Sequence, residues 1–136
     1  MAADAAAAVV AAGAAVAKPR VLLVAPRDSY RTAPYIAAAR KQGVDLLIAS
    51  EGKLALSGLD LPGVQVSLHD APGSLQAVLT ASQEQPFLGI IGTDDASTEL
   101  AVLASMHLQL PHNPLLSVRL ARRKDLARSH LARAGV

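Results

Sequence analysis

Two short polar loops carry most of the side chains that could do chemistry. The first, APRDSYRTAP, packs Arg27, Asp28, Ser29, Tyr30 and Arg31 into five positions directly after an apolar run. Two guanidiniums and a phenol suit the binding of an anionic group, helped by the N-terminus of the helix that follows. The loop has no glycine, so neither a GxGxxG dinucleotide turn nor a P-loop can be built there. A solvated polar loop, with Arg31 paired to nearby acids, accounts for the same residues. The second loop, GTDDAST, sets Asp94 and Asp95 side by side at the head of a predicted helix. One carboxylate in that place caps free N–H groups and complements the helix dipole. The other is then available to face a cleft and hold a substrate amine or hydroxyl.

A third feature is a concentration of charge. Arg119, Arg122, Arg123, Lys124, Arg128 and Arg133 face only Asp125 in the last segment, whereas residues 1–118 hold seven cations and ten anions. Any anionic partner should therefore be met near the C-terminal end, and a non-catalytic module docking its basic helix on nucleic acid is one reading. An aromatic content of 2% leaves no platform for stacked bases and disfavours it. There is no cysteine, which removes disulfides, thiolate metal sites and thiol nucleophiles, and agrees with a reducing cytoplasm. His69, His107, His112 and His130 are scattered without ligand spacing. Ser29 lacks a GxSxG context, so a hydrolase triad is unsupported. A receiver domain would want acids where Pro26 and Arg27 stand. No residue is assigned as catalytic or as a metal ligand.

The elements that must hold these loops alternate between two patterns. RVLLVAP (20–26), VDLLIAS (44–50), VQVSL (64–68) and FLGIIG (87–92) are short apolar runs of the kind that form buried parallel strands. Between them, helical spacing runs over residues 33–42, ending at Gly43. It returns over 74–84, with Ser74 as N-cap and Leu75, Val78 and Leu79 on one face, and over 96–108, with Leu100, Leu103 and Leu108. Alternating strands and helices imply a small Rossmann-like α/β domain: an open parallel sheet of about four strands with helices on both faces. Ligands of such sheets bind beyond the carboxyl ends of the strands, which directs attention to loops 26–33, 50–58, 69–73 and 93–97. A further helical segment, with Asn113 as N-cap, Pro114 at N1 and a break near Arg123, runs to Gly135 with no strand after it. The Ala-rich residues 1–18 read as a low-complexity extension, too short and too weakly apolar for a membrane span and without the early cations of a secretory signal.

The stretch GIIGTDDASTELAVLASMHLQLPHNPLLSVRLARRKDLARSHLARAGV resembles the N-terminal, pre-ATP-grasp domain of ATP-grasp ligases and its connection to the ATP-binding domain. The ordered features are a strand, an acidic loop, a helix, the turn Leu110-Pro111-His112-Asn113-Pro114, a short helix, Lys124, and a helix closing in Ala134-Gly135-Val136. SYRTAPYIAAARKQGVDLLIASEG is similar to the subgroup with a YRT-type loop, among carboxylate–amine ligases and their carbamoyl-phosphate-synthetase-like relatives. His112 stands where glycine is common, and Arg123 where the residue before the lysine is often aspartate. The resemblance covers about residues 20–136 and divides the chain into the extension, a domain over 19–111 and a helical connector over 112–136.

The resemblance implies that Lys124 reaches a nucleotide phosphate, while Arg27, Tyr30, Arg31, Asp94 and Asp95 line the substrate side of the cleft. It also implies ATP and Mg2+ for the complete protein and small carboxylate and amine substrates; from the sequence itself a cytoplasmic setting without a membrane partner is expected, with nucleic acid the disfavoured alternative. The ATP-grasp domain itself, with its magnesium ligands, is expected beyond Val136. The chain alone is then expected to be inactive and, with half of its cleft uncovered, to self-associate. A flavodoxin-like domain for another small ligand shares the fold and differs only in the site.

Overall fold

The structure, a computed structural model, describes residues 18–52 and 61–136. The Ala-rich extension up to residue 17 and much of loop 50–58 lie outside the described residues. Four strands form one parallel sheet in the order β3-β2-β1-β4: β1 (Arg20–Val24), β2 (Asp45–Ser50), β3 (Gly63–Gln65) and β4 (Gly89–Gly92). The helices are α1 (Thr32–Gln42), α2 (Ala71–Glu84), α3 (Thr98–His107), α4 (Leu115–Arg122) and α5 (Lys124–Arg133).

β1 is central, and its residues alternate between two apolar layers as a pleated strand requires. Leu22 and Val24 join Leu47 and Ala49 of β2 against Val78 of α2 and Leu100, Ala101 and Ala104 of α3. Leu23 and Ile48 point the other way and meet Ile36 of α1. Being covered on both faces is why these strands read as continuous apolar runs rather than as alternating ones. α1 ends at Gly43, whose φ of 65° is the left-handed conformation that a helix C′ position favours.

The starts of α1 to α4 differ from the sequence expectation by one to three residues. Ser74 is not the cap of α2: Asp70 is, accepting from Gly73 N at 3.0 Å, and the helix begins three residues earlier at Ala71. Ser74 is instead buried, its hydroxyl accepting from Ser67 N at 2.8 Å and donating to Ser67 O at 2.9 Å. α4 begins at Leu115 with Pro114 as its N-cap, one residue later than Asn113 and Pro114 suggested. The third strand pairs over only Gly63–Gln65, and the fourth begins at Gly89 rather than Phe87. The break near Arg123 is present, with φ −117° and ψ 94° between α4 and α5.

Candidate functional site

The loops after β1, β2 and β4 meet at the carboxyl ends of the strands around a concavity of about 410 Å³, lined by Pro26–Arg31, Glu51 and Asp94. Two larger hollows, of about 460 Å³ and 510 Å³, lie around the amino-end residues of the strands and beside β4. Size does not decide between them. The strand-end site is favoured because an open parallel sheet directs its loops and helix N-termini there.

Arg31 is the best-fixed cation of the site. Its Nη1 donates to the carbonyl of Thr93, tying the first loop to the fourth, and its Nε donates to the Tyr30 hydroxyl at 3.2 Å. The hydrogen bond to the Tyr30 hydroxyl, with a smaller contribution from Asp94, holds the guanidinium's pKa above its ordinary value. Arg31 is also the N-cap residue of α1, yet no side chain caps that helix and no acid stands in its first turn. The backbone at this helix start therefore carries positive potential uncompensated by a side chain. Arg27 is exposed and lies against Gly52, its guanidinium carbon 3.5 Å from where a Cβ would stand. Among the described residues it has no hydrogen bond or ion pair.

The acids divide unequally. Asp94 Oδ1 accepts from Ala96 N and Ser97 N, both at 3.1 Å, and Ser97 Oγ closes the turn by donating to Asp94 O and accepting from Asp94 N, both at 3.0 Å. Asp94 thus caps the approach to α3 and lines the concavity at once, whereas the exposed Asp95 is not part of that lining. Glu51, which the sequence reading did not single out, sits at the end of β2 and accepts from Leu68 N at 3.0 Å. Below the loops, Ser50 Oγ and Thr93 Oγ1 are buried without a partner among the described residues. The strand register sets these two hydroxyls on either side of Ala25.

Lys124 is not at this concavity. It is the first residue of α5, exposed, with no ion pair among the described residues. Three of its cationic neighbours are already matched: Arg119 and Arg122 to Glu99, and Arg123 to Asp125 at 2.7 Å. The segment is thus less free to bind phosphates than its sequence charge implies. Among the described residues no group of three or more His, Cys, Asp or Glu could hold a metal ion, and no helix is long and apolar enough to cross a membrane.

The architecture defines the class: a Rossmann-like open parallel sheet, with helices on both faces and a C-terminal helix pair. Within that class, the chain is similar in fold to part of the L-amino acid ligase from Bacillus licheniformis, with a TM-score of 0.70 and 19% identity over 88% of this chain. The matched region spans 31% of the ligase's length, and at that identity the likeness is one of fold. No family model and no curated protein matches the chain.

Proposed function

We propose that this chain is the N-terminal, substrate-side domain of an ATP-grasp ligase. Such an enzyme activates a carboxylate as an acyl phosphate and then transfers the acyl group to an amine-type nucleophile. The observation that carries the reading is the fold likeness to part of an L-amino acid ligase. The motif order from Gly89 to Val136 adds to it.

In the first step a carboxylate oxygen attacks the γ-phosphorus of ATP and ADP leaves. In the second, the amine attacks the acyl carbon, phosphate leaves and the nitrogen gives up a proton. Catalysis of this kind depends on positioning and charge neutralisation more than on an acid–base pair. Arg27, Arg31 and Tyr30 supply donors for the oxyanion side of a substrate, and Asp94 supplies an acceptor for its amine or hydroxyl, whereas Asp95 lies outside the lining and takes no such role. The Lys124 ammonium, a point cation on a flexible stem, suits a nucleotide phosphate. Mg2+, which would neutralise the phosphates, finds no three-ligand cluster among the described residues, so its ligands are assigned to the ATP-binding domain. The exposed Leu116, Leu126 and Leu131 of the connector are apolar surface which that domain would cover. Alone, the chain performs no turnover. The proposed setting is the cytoplasm.

Titrating small amines, amino acids and carboxylates into the isotope-labelled chain tests the substrate side. Amide shifts should concentrate in residues 26–33 and 93–97. Shifts confined to the amino ends of the strands around Arg20 and Asp45 would overturn the assignment.

A further inference from the structure

Glu99 stands in the first turn of α3, where its sequence position suggests no more than a favourable charge at a helix start. In the structure both of its oxygens are taken by α4. Oε1 accepts from Arg119 Nε at 3.0 Å and lies 3.0 Å from Nη2 of the same guanidinium, while Oε2 accepts from Arg122 Nη1 at 2.9 Å. Arg119 and Arg122 are three residues apart and so share one side of the helix. The carboxylate is only 21% exposed, but the Arg119 and Arg122 side chains are 53% and 34% exposed, so water and salt screen the two pairs in part.

Apolar burial in the connector is limited, with Leu115, Leu120 and Ala127 half-buried. Val118 is the one buried residue of α4, and α5 has none. A single extended residue, Arg123, joins the two helices, and its side chain is occupied by Asp125. The place of Lys124 relative to the sheet is therefore set through α4, and α4 is held by the buried Val118, the half-buried Leu115 and Leu120, and one shared carboxylate. α3 itself begins just after the turn that Asp94 caps, so Glu99 also links the acidic loop to the connector.

We propose that Glu99 is the positioning residue for Lys124, a role that rests on the reading of Lys124 as a phosphate ligand. Glu99 clamps α4 against α3 and thereby aims α5 at a fixed place relative to the strand-end loops. With the carboxylate neutralised, the connector leaves the body of the domain while the sheet and α1 to α3 stay folded.

The chain has no cysteine, so cysteines introduced at the exposed Gln76 in α2 and Arg128 in α5 carry spin labels without background. The 136-residue chain should give one narrow label-to-label distance. Glu99→Gln should raise the undocked population about tenfold, equivalent to about 1.4 kcal/mol for the two pairs together. The charge-reversed combination Glu99→Arg, Arg119→Glu and Arg122→Glu should restore the narrow distance, and amide exchange in α1 to α3 should stay unchanged throughout. An unaltered distance in Glu99→Gln, or a reversed combination no narrower than Glu99→Gln, overturns the proposal. Distances that respond as expected beside a Lys124→Ala protein with unchanged nucleotide affinity would sink the phosphate reading alone, so the two failures are distinguishable.

Discussion

Replacing Gly92 with alanine tests the packing that places the acidic loop. A Cβ at Gly92 would stand 2.9 Å from Thr98 Cα and 3.1 Å from both Ser97 C and Thr98 N. These are backbone atoms at the start of α3 and cannot rotate aside. Nonbonded carbons prefer about 3.5–4.0 Å, so the helix start must retreat by roughly 0.5–1 Å. Overpacking of this kind costs about 1–3 kcal/mol, and the lower unfolded-state entropy of alanine returns about 0.4–1 kcal/mol. The expected net loss is about 1–2 kcal/mol from the difference of those two effects. Gly89 lies in the same strand with nothing within 4 Å of its would-be Cβ, so Gly89→Ala is the control. Urea unfolding should show a lower midpoint for Gly92→Ala with an unchanged slope, and Gly89→Ala close to the parent protein. The amides of Ala96 and Ser97, bonded to Asp94, should also exchange faster in Gly92→Ala alone. Equal midpoints for the two variants would refute the close approach of α3 to β4.

Two further outcomes follow from unpaired and paired polar groups. Thr93→Val removes a buried hydroxyl without a partner among the described residues and should leave stability unchanged or raise it by up to about 1 kcal/mol; a loss beyond about 1 kcal/mol in urea unfolding would reveal an uncounted partner. The hydrogen bond from Arg123 holds the Asp125 carboxyl below its ordinary pKa, so its contribution to the start of α5 is complete above the ordinary aspartate range. That contribution should fade only as pH falls through the depressed folded value, read from amide shifts of residues 124–127, and Asp125→Asn should abolish the dependence.

Much of the fold was legible because the physics was local. RVLLV and DLLIAS are largely buried and read as strands, GIIG reads as one although it lies half-buried at the sheet edge, and Gly43 marked the end of α1 because a left-handed residue was needed there. The start of α2 was misread because Ser74 looks like a cap, while Asp70 holds that role ahead of Pro72 and Gly73. Ser74 is committed to the preceding loop, a pairing across seven residues that helical spacing cannot reveal.

The candidate site was legible by loop but not by partner. Loops 26–33 and 93–97 do converge, yet the bond that joins them runs from Arg31 to a backbone carbonyl 62 residues away. Adjacent Asp94 and Asp95 could not be told apart, since their roles depend on which carboxylate reaches the N–H groups of Ala96 and Ser97. The basic segment reads as uniformly cationic in sequence, whereas in the structure Glu99 engages Arg119 and Arg122 across 20 and 23 residues of sequence.

The proposed role of this domain is to serve an ATP-dependent ligase through Lys124. Its most direct test is calorimetric titration of Mg-ATP into the proposed complete protein, this chain joined to an ATP-binding domain, with and without Lys124→Ala. Loss of a charge-assisted phosphate contact should weaken binding by about 1.5–3 kcal/mol, roughly ten- to a hundredfold. Equal affinity of the two proteins for Mg-ATP would contradict the account.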